Sequence, residues 1–200
     1  VIADDDGVQG IGGVMGGAGS GCGEDTNNVF LEVALFDPIL IAEAGRKLGI
    51  MSDARYRFER GIDPTSASWG AEIATRMILE LCGGEASELV SAGEMPVWQR
   101  DCFLRTRRTL SLGGVDVSAA ASDAILTNLG FETRIDGDII HCGIPPWRPD
   151  IDGEADLVEE VLRIHGYDAI PSVATDRDNA VPKPVRNAAQ SCAESARRML

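Results

Sequence analysis

The chain has 200 residues, 44% of them apolar and 25% charged, with a formal net charge of −14. That length holds one large domain or two small ones with a core of ordinary composition. The acidity argues against a broad, sequence-blind grip on phosphates, which Lys and Arg would have to supply, but leaves room for a local nucleic-acid contact or a partner that brings positive charge.

In chain order, "VIAD" and "QGIGGV" read as short strands, followed by a glycine-rich turn from Gly16 to Gly23. "NVFLEVALF" carries apolar residues on both faces, as a buried sheet strand does. Asp37-Pro38 and Asp63-Pro64 read as helix starts, an acid that can cap followed by proline in the first turn. Leu40, Ile41, Ala44 and Leu48 recur at helical spacing up to Gly49; Ile73, Met77, Ile78 and Leu81 do so before Gly83-Gly84. "SAGEMPVWQRD" is polar and proline-broken, and a domain boundary is expected there, near residue 95.

Beyond it, "CFLRTRR" reads as a strand. Ser118 caps a helix with Ile125, Leu126 and Leu129 that stops at Gly130. "FETRI" and "DIIHCGI" are joined by Asp136-Gly137, a strong hairpin signal when both turn residues take positive φ. A helix followed at once by a two-stranded ribbon resembles a winged-helix unit. A helix from Glu154 to His165 comes next, then an extended, proline-bearing linker, "IPSVATDRDNAVPKPVR", and the opening of another helix. The expected class is α+β in two domains with a third beginning. The start at Val1 and this unfinished tail suggest a piece of a longer protein.

Obvious catalytic signatures are missing. His141 and His165 lie on different elements, so they form no metal cluster. The run "GIGGVMGGAGSG" lacks the Gly-Lys-Ser/Thr ending of a phosphate loop and matches GxGxxG only out of register. A nucleotide-binding enzyme is therefore the weakest reading, and tight turns between strands explain the glycines as well. The five cysteines, Cys22, Cys82, Cys102, Cys142 and Cys192, show no CxxC spacing, and reduced thiols are expected. No apolar run approaches the roughly 18 residues of a membrane span. A soluble, cytoplasmic protein without membrane contact is expected.

"PPWRPDIDGEADLVEEVLRIHGYDAIP" concentrates acids. On a helical wheel, Leu157, Val158, Val161, Leu162 and Ile164 fill one arc, and Asp156, Glu159, Glu160 and Arg163 the other. With Asp150 in the preceding loop, these carboxylates are either a solvated face or an oxygen set for a hard cation such as Mg2+. Trp147 and Arg148, held extended by Pro145, Pro146 and Pro149, are expected to pack the loop against the domain. Glu32, between Leu31 and Val33, is likewise either solvated at an edge or buried for a purpose.

"GGVMGG", "NVFLEVALFDP", "SDARYRFERGIDP", "LCGGEA" and the acidic stretch occur in that order. Together they resemble the beta-subunit family of bacterial phenylalanyl-tRNA synthetases over essentially the whole chain. The resemblance implies that residues 1–95 are the C-terminal part of a mixed α/β tRNA-editing domain whose N-terminal part lies outside this chain. It makes 96–171 a small winged-helix-like α+β assembly domain, and 172–200 a linker with the start of an inactive catalytic-like domain.

Editing in the family removes tyrosine wrongly esterified to the phenylalanine tRNA. An apolar synthetic pocket rejects an added hydroxyl only weakly, so a second site that demands the hydroxyl is needed. The resemblance assigns that recognition to Glu32 and small pocket walls to Gly12, Gly13 and Ala54, with no catalytic side chain. Water is positioned instead by backbone groups and the terminal ribose of the tRNA. Arg55-Tyr56 departs from the Ser-His pair common in the family. The resemblance further assigns Asp150, Asp156, Glu159 and Glu160 to a Mg2+ shared with the alpha subunit, which uses the ATP and aminoacylates within a heterotetramer of two alpha and two beta chains. A non-enzymatic docking or nucleic-acid-contacting module is the alternative.

Overall fold

The computed structural model describes residues 1–174 and 184–199. The chain divides into two compact units, 1–170 and 171–200. The architecture is mixed α+β, as expected, and both sheets are small and antiparallel.

The first unit opens with a sheet of β1 (Ile2–Asp4), β2 (Gly7–Ile11) and β3 (Met15–Gly16), in that order. The amide of Val14 donates to Ile11 O at 2.9 Å, closing the β2–β3 turn through Gly12 and Gly13. Gly13 takes φ +68°, which L side chains rarely adopt. Helix α1 (Pro38–Leu48) starts where the sequence indicates. Asp37 Oδ1 accepts from the amides of Ile39 and Leu40 at 2.8 and 3.1 Å, and Gly49 closes the helix at φ +66°.

Helix α2 (Asp53–Phe58) was not legible, because six residues are too few to show a period. Ser52 caps it, accepting from the Arg55 amide at 3.1 Å. Helix α3 (Ser66–Cys82) begins later than the Asp63-Pro64 signal. Asp63 Oδ1 instead holds both the amide and the hydroxyl of Thr65, forming a turn before the helix.

The strand expected at "NVFLEVALF" is absent: residues 28–36 form no strand among the described residues. A strand is stabilised by a neighbour that satisfies its amides and carbonyls, and this segment pairs with neither sheet. The side chains of residues 28–33 are correspondingly open, Phe30 at 93% exposure, whereas Ala34, Leu35 and Phe36 are half-buried.

The second sheet has the order β4-β6-β5, from β4 (Arg100–Arg105), β5 (Glu132–Asp136) and β6 (Ile139–Ile144). Between β4 and β5 lie the short α4 (Arg108–Ser111) and α5 (Ala119–Asn128); Ser118 Oγ accepts from the Ala121 amide at 3.2 Å, the expected cap. The hairpin exists, but Asp136 pairs with Ile139, so the loop is Gly137-Asp138. Only Gly137 has positive φ, at +57°, so the turn differs from the doubly left-handed form expected of Asp136-Gly137.

Helix α6 (Glu154–His165) has the expected bounds. Leu104, Leu126, Ile140, Ile151, Leu157 and Val161 form its core contacts, each at 0–1% exposure. Two wheel assignments are corrected: Ile164 is 49% exposed and Glu160 only 6%.

The second unit contains α7 (Ala188–Met199), which no buried residue anchors. Asn187 and Gln190 cap it reciprocally, each side chain accepting from the other's amide at 2.9 and 3.0 Å. Most of the expected extended linker, residues 175–183, lies outside the described residues.

Candidate functional site

The acidic loop and α6 are joined by one arginine. The amide of Arg148 donates to Pro145 O at 3.0 Å, so the prolines form a turn here and do not hold an extended run. That turn aims the Arg148 guanidinium back at the acids. Its Nε and Nη2 donate to Asp150 Oδ1 and Oδ2 at 2.9 and 2.7 Å, and its Nη1 to Glu160 Oε2 at 2.9 Å. Arg163, one helical turn on, also donates to Glu160 Oε2 at 2.6 Å.

Glu160 is thus buried with compensation, the condition under which a carboxylate leaves water. Burial pushes its carboxyl pKa up, but Arg148 and Arg163 outweigh that and hold it below the ordinary value. Asp150 is held low chiefly by its hydrogen bonds with Arg148, and the pKa of Arg148 is raised in return.

The other acids do different work. Asp156 Oδ2 accepts from the amides of Asp152 and Gly153 at 2.9 Å each, capping α6 at its N-terminus, where negative charge is favoured. Glu159 is exposed, and among the described residues it has no hydrogen-bond or ion-pair partner. Glu154 meets Arg105, whose backbone amide donates to its Oε1 at 2.8 Å, and Arg108 Nε lies 3.3 Å from its Oε2. The Arg105 guanidinium, whose Nε donates to Oε1 at 2.9 Å, is the main reason the carboxyl pKa of Glu154 is lowered.

Among the described residues, no group of three or more His, Cys, Asp or Glu side chains is arranged to hold a metal ion. A hard cation needs several oxygens converging on one point; here a guanidinium occupies that point between Asp150 and Glu160, and Asp156 faces backbone amides. The four acids do not fit a bound Mg2+ in this arrangement. The sequence signal for Arg148 was available, an arginine two residues before Asp150, but nothing in the spacing placed it against Glu160.

Gly12 and Gly13 are tight packing positions. A Cβ on Gly12 would meet Phe36 Cε1 at 2.6 Å, and one on Gly13 would meet Ile41 Cδ1 and Phe36 Cδ2 at 2.8 Å. The space their missing side chains leave is filled by Phe36 and α1. Ser52 Oγ donates to Val14 O at 2.5 Å, tying the cap of α2 to the end of the glycine turn. Ala54 is exposed in the first turn of α2, two residues after Ser52.

Glu32 is exposed on the unpaired segment and is not joined to this group by any hydrogen bond among the described residues. Arg55 is buried: its Nη1 donates to Ile50 O at 2.6 Å and its Nε to Glu59 at 3.0 Å, with its stem against Gly45 of α1. It welds α1 to α2. Sequence reasoning saw it only as a departure at the Ala54 wall.

Two open depressions, about 470 Å³ over Asp101, His141 and Gly143 and about 340 Å³ over Trp98 and Trp147, contain none of the eight candidate residues.

The B3/4 domain family matches residues 1–83, and the tRNA synthetase B5 domain family matches 102–167. The chain is 57% identical over 185 residues to the phenylalanine–tRNA ligase beta subunit of Rhodospirillum rubrum, covering 92% of this chain and 23% of that protein. It is 52% identical over 200 residues to the beta subunit of Paramagnetospirillum magneticum, covering 100% of this chain and 25% of that protein. The chain belongs to the phenylalanine–tRNA ligase beta-subunit family. It spans about a quarter of the length of these curated relatives.

Proposed function

We propose that the chain serves phenylalanine–tRNA ligase in two ways: its first half contributes to hydrolytic removal of tyrosine from mischarged phenylalanine tRNA, and its second half docks the catalytic alpha subunit. The observation that carries this is the ordered pair of domain matches, B3/4 then B5, in a chain whose relatives bear the beta-subunit name. Residues 1–95 form the editing part, 96–171 the docking part, and 172–200 the lead into a further domain.

In the editing part, Gly12, Gly13 and Ala54 line the approach and Glu32 reads the tyrosine hydroxyl. Drying Glu32 requires walls beyond those described, because an acceptor discriminates strongly only when it is desolvated without its donor. Aminoacylation and ATP use belong to the alpha subunit, in a cytoplasmic heterotetramer of two alpha and two beta chains that binds phenylalanine tRNA. In the docking part, Glu159 is the acid left free for the partner. A Mg2+ shared between the subunits would need Arg148 to leave Asp150 and Glu160 first.

The experiment is sedimentation of the alpha subunit with beta subunit carrying this chain, wild type or Glu159→Ala, alongside thermal melting of each beta subunit. Weaker association at unchanged melting temperature supports docking through this face. Unchanged association removes Glu159 from the interface.

A further inference from the structure

The acids expected to bind a divalent cation already have a cation of their own. We propose that Arg148 is the resident counter-ion of this loop and helix, and that it competes with any divalent cation for Asp150 and Glu160. The inference rests on the shared-ion reading only for the identity of the competitor.

Four observations carry it. The guanidinium uses three donors on two carboxylates, at 2.9 Å and 2.7 Å to Asp150 and 2.9 Å to Glu160. A planar fork of this kind matches carboxylate geometry better than a point charge does. Its backbone is pinned at both ends, the amide to Pro145 O at 3.0 Å and the carbonyl to Arg100 Nη2 at 2.7 Å. The side chain is only 17% exposed, and that of Glu160 only 9%. Finally, the guanidinium carbon lies 5.9 Å from the centre of the Phe131 ring, an apolar floor that screens the pair from water.

The cation is therefore held in place by the fold. A divalent ion arriving at Asp150 and Glu160 meets a fixed positive charge and oxygens already committed to it. Arg163 adds a second positive charge on Glu160, 2.6 Å from the same Oε2. Asp156 Oδ2 is committed to the two amides at the start of α6, so Asp156 keeps only its other oxygen for an ion. Arg148 thus does the work assigned to a metal, relieving repulsion between Asp150 and Glu160, and any metal-bound state requires the Arg148 side chain to swing out.

The test follows Mn2+ broadening of backbone amide resonances in the 15N-labelled chain, with Mg2+ titration calorimetry beside it. Wild type should show no selective broadening over residues 148–160 and no change in melting temperature with Mg2+ or chelator, since a bound ion would raise it. Arg148→Gln should acquire broadening centred on Asp150 and Glu160, with affinity roughly tenfold or more above wild type once the adjacent positive charge is gone. Glu160→Gln added to that variant should abolish it, and Arg148→Lys, which keeps the charge, should behave nearer to wild type.

Selective broadening in wild type overturns the competition, and that arm needs no variant to fold. A folded Arg148→Gln chain that gains nothing overturns it equally. Repeating the Mn2+ titration with the alpha subunit present separates the two ideas. If wild type binds Mn2+ there while the free Arg148→Gln chain binds none, the shared ion stands and the competition falls.

Discussion

Glu160 shows most clearly what a helical wheel cannot see. The wheel places it with Asp156, Glu159 and Arg163, yet it is 6% exposed because Arg148, twelve residues earlier, follows it under the loop. Glu160→Ala leaves Arg148 Nη1 without its partner while Asp150 keeps the other two donors, and is expected to cost about 2–3 kcal/mol, below the full penalty for breaking a buried pair. Glu159→Ala, on the open face, should stay within about 0.5 kcal/mol. Denaturant unfolding of the two variants measures the contrast.

The same network sets an acid limit. The carboxyl pKa values of Asp150, Glu154 and Glu160 are lower folded than the ordinary 3.8 and 4.5. Their contribution is therefore complete above those ordinary values and is lost as pH falls through the folded ones. The melting temperature should fall on acidification below about pH 4.5, and Glu160→Gln should make that fall shallower. An identical acid limb in Glu160→Gln would deny the network its role. Caps, by contrast, were readable one residue at a time: Asp37 and Ser118 bond to amides two or three residues ahead, within the reach of local sequence.

At the scale of elements, legibility followed whether the stabilising partner is local. Helix α6 was bounded correctly because its apolar arc repeats over twelve residues and meets a complete core. Leu157, at 0% exposure on that arc, is the residue whose loss should hurt most: Leu157→Ala is expected to cost about 3 kcal/mol through lost burial and the cavity left behind. Gly137→Ala adds a methyl that meets nothing within 4 Å. Its cost should be only the left-handed backbone, about 1 kcal/mol. Equal losses by denaturant titration would mean that the hairpin turn, rather than the helix, organises this part of the fold.

The segment 28–36 fails for the converse reason. Its composition announces a strand, but a strand needs hydrogen bonds from a neighbour, and composition does not say whether one is present. Glu32 inherits that outcome. The strand left it either solvated or buried, the family resemblance favoured the buried role, and here it stands exposed.

For the molecule as a whole, the family was legible from short strings in sequence, and the B3/4 match at 1–83 and the B5 match at 102–167 agree with it. The assignments of single residues go beyond that agreement. Gly13→Trp would be a poor probe of the editing reading, since a Cβ at Gly13 already meets Ile41 and Phe36 at 2.8 Å and the turn itself would fail. Ala54 and Glu32 are exposed, so changing them leaves the described packing intact. The most direct measurement is deacylation of tyrosyl-tRNA by the intact alpha–beta enzyme with wild-type, Glu32→Ala or Ala54→Trp beta subunit, with phenylalanine charging followed in parallel. If Glu32 reads the hydroxyl, Glu32→Ala should slow deacylation by about one to two decades, the worth of a hydrogen bond to a charged group. Ala54→Trp should block it, and charging should be unchanged in both. Deacylation at the wild-type rate by the Glu32→Ala enzyme would leave Glu32 a solvated residue and contradict the editing role assigned to it.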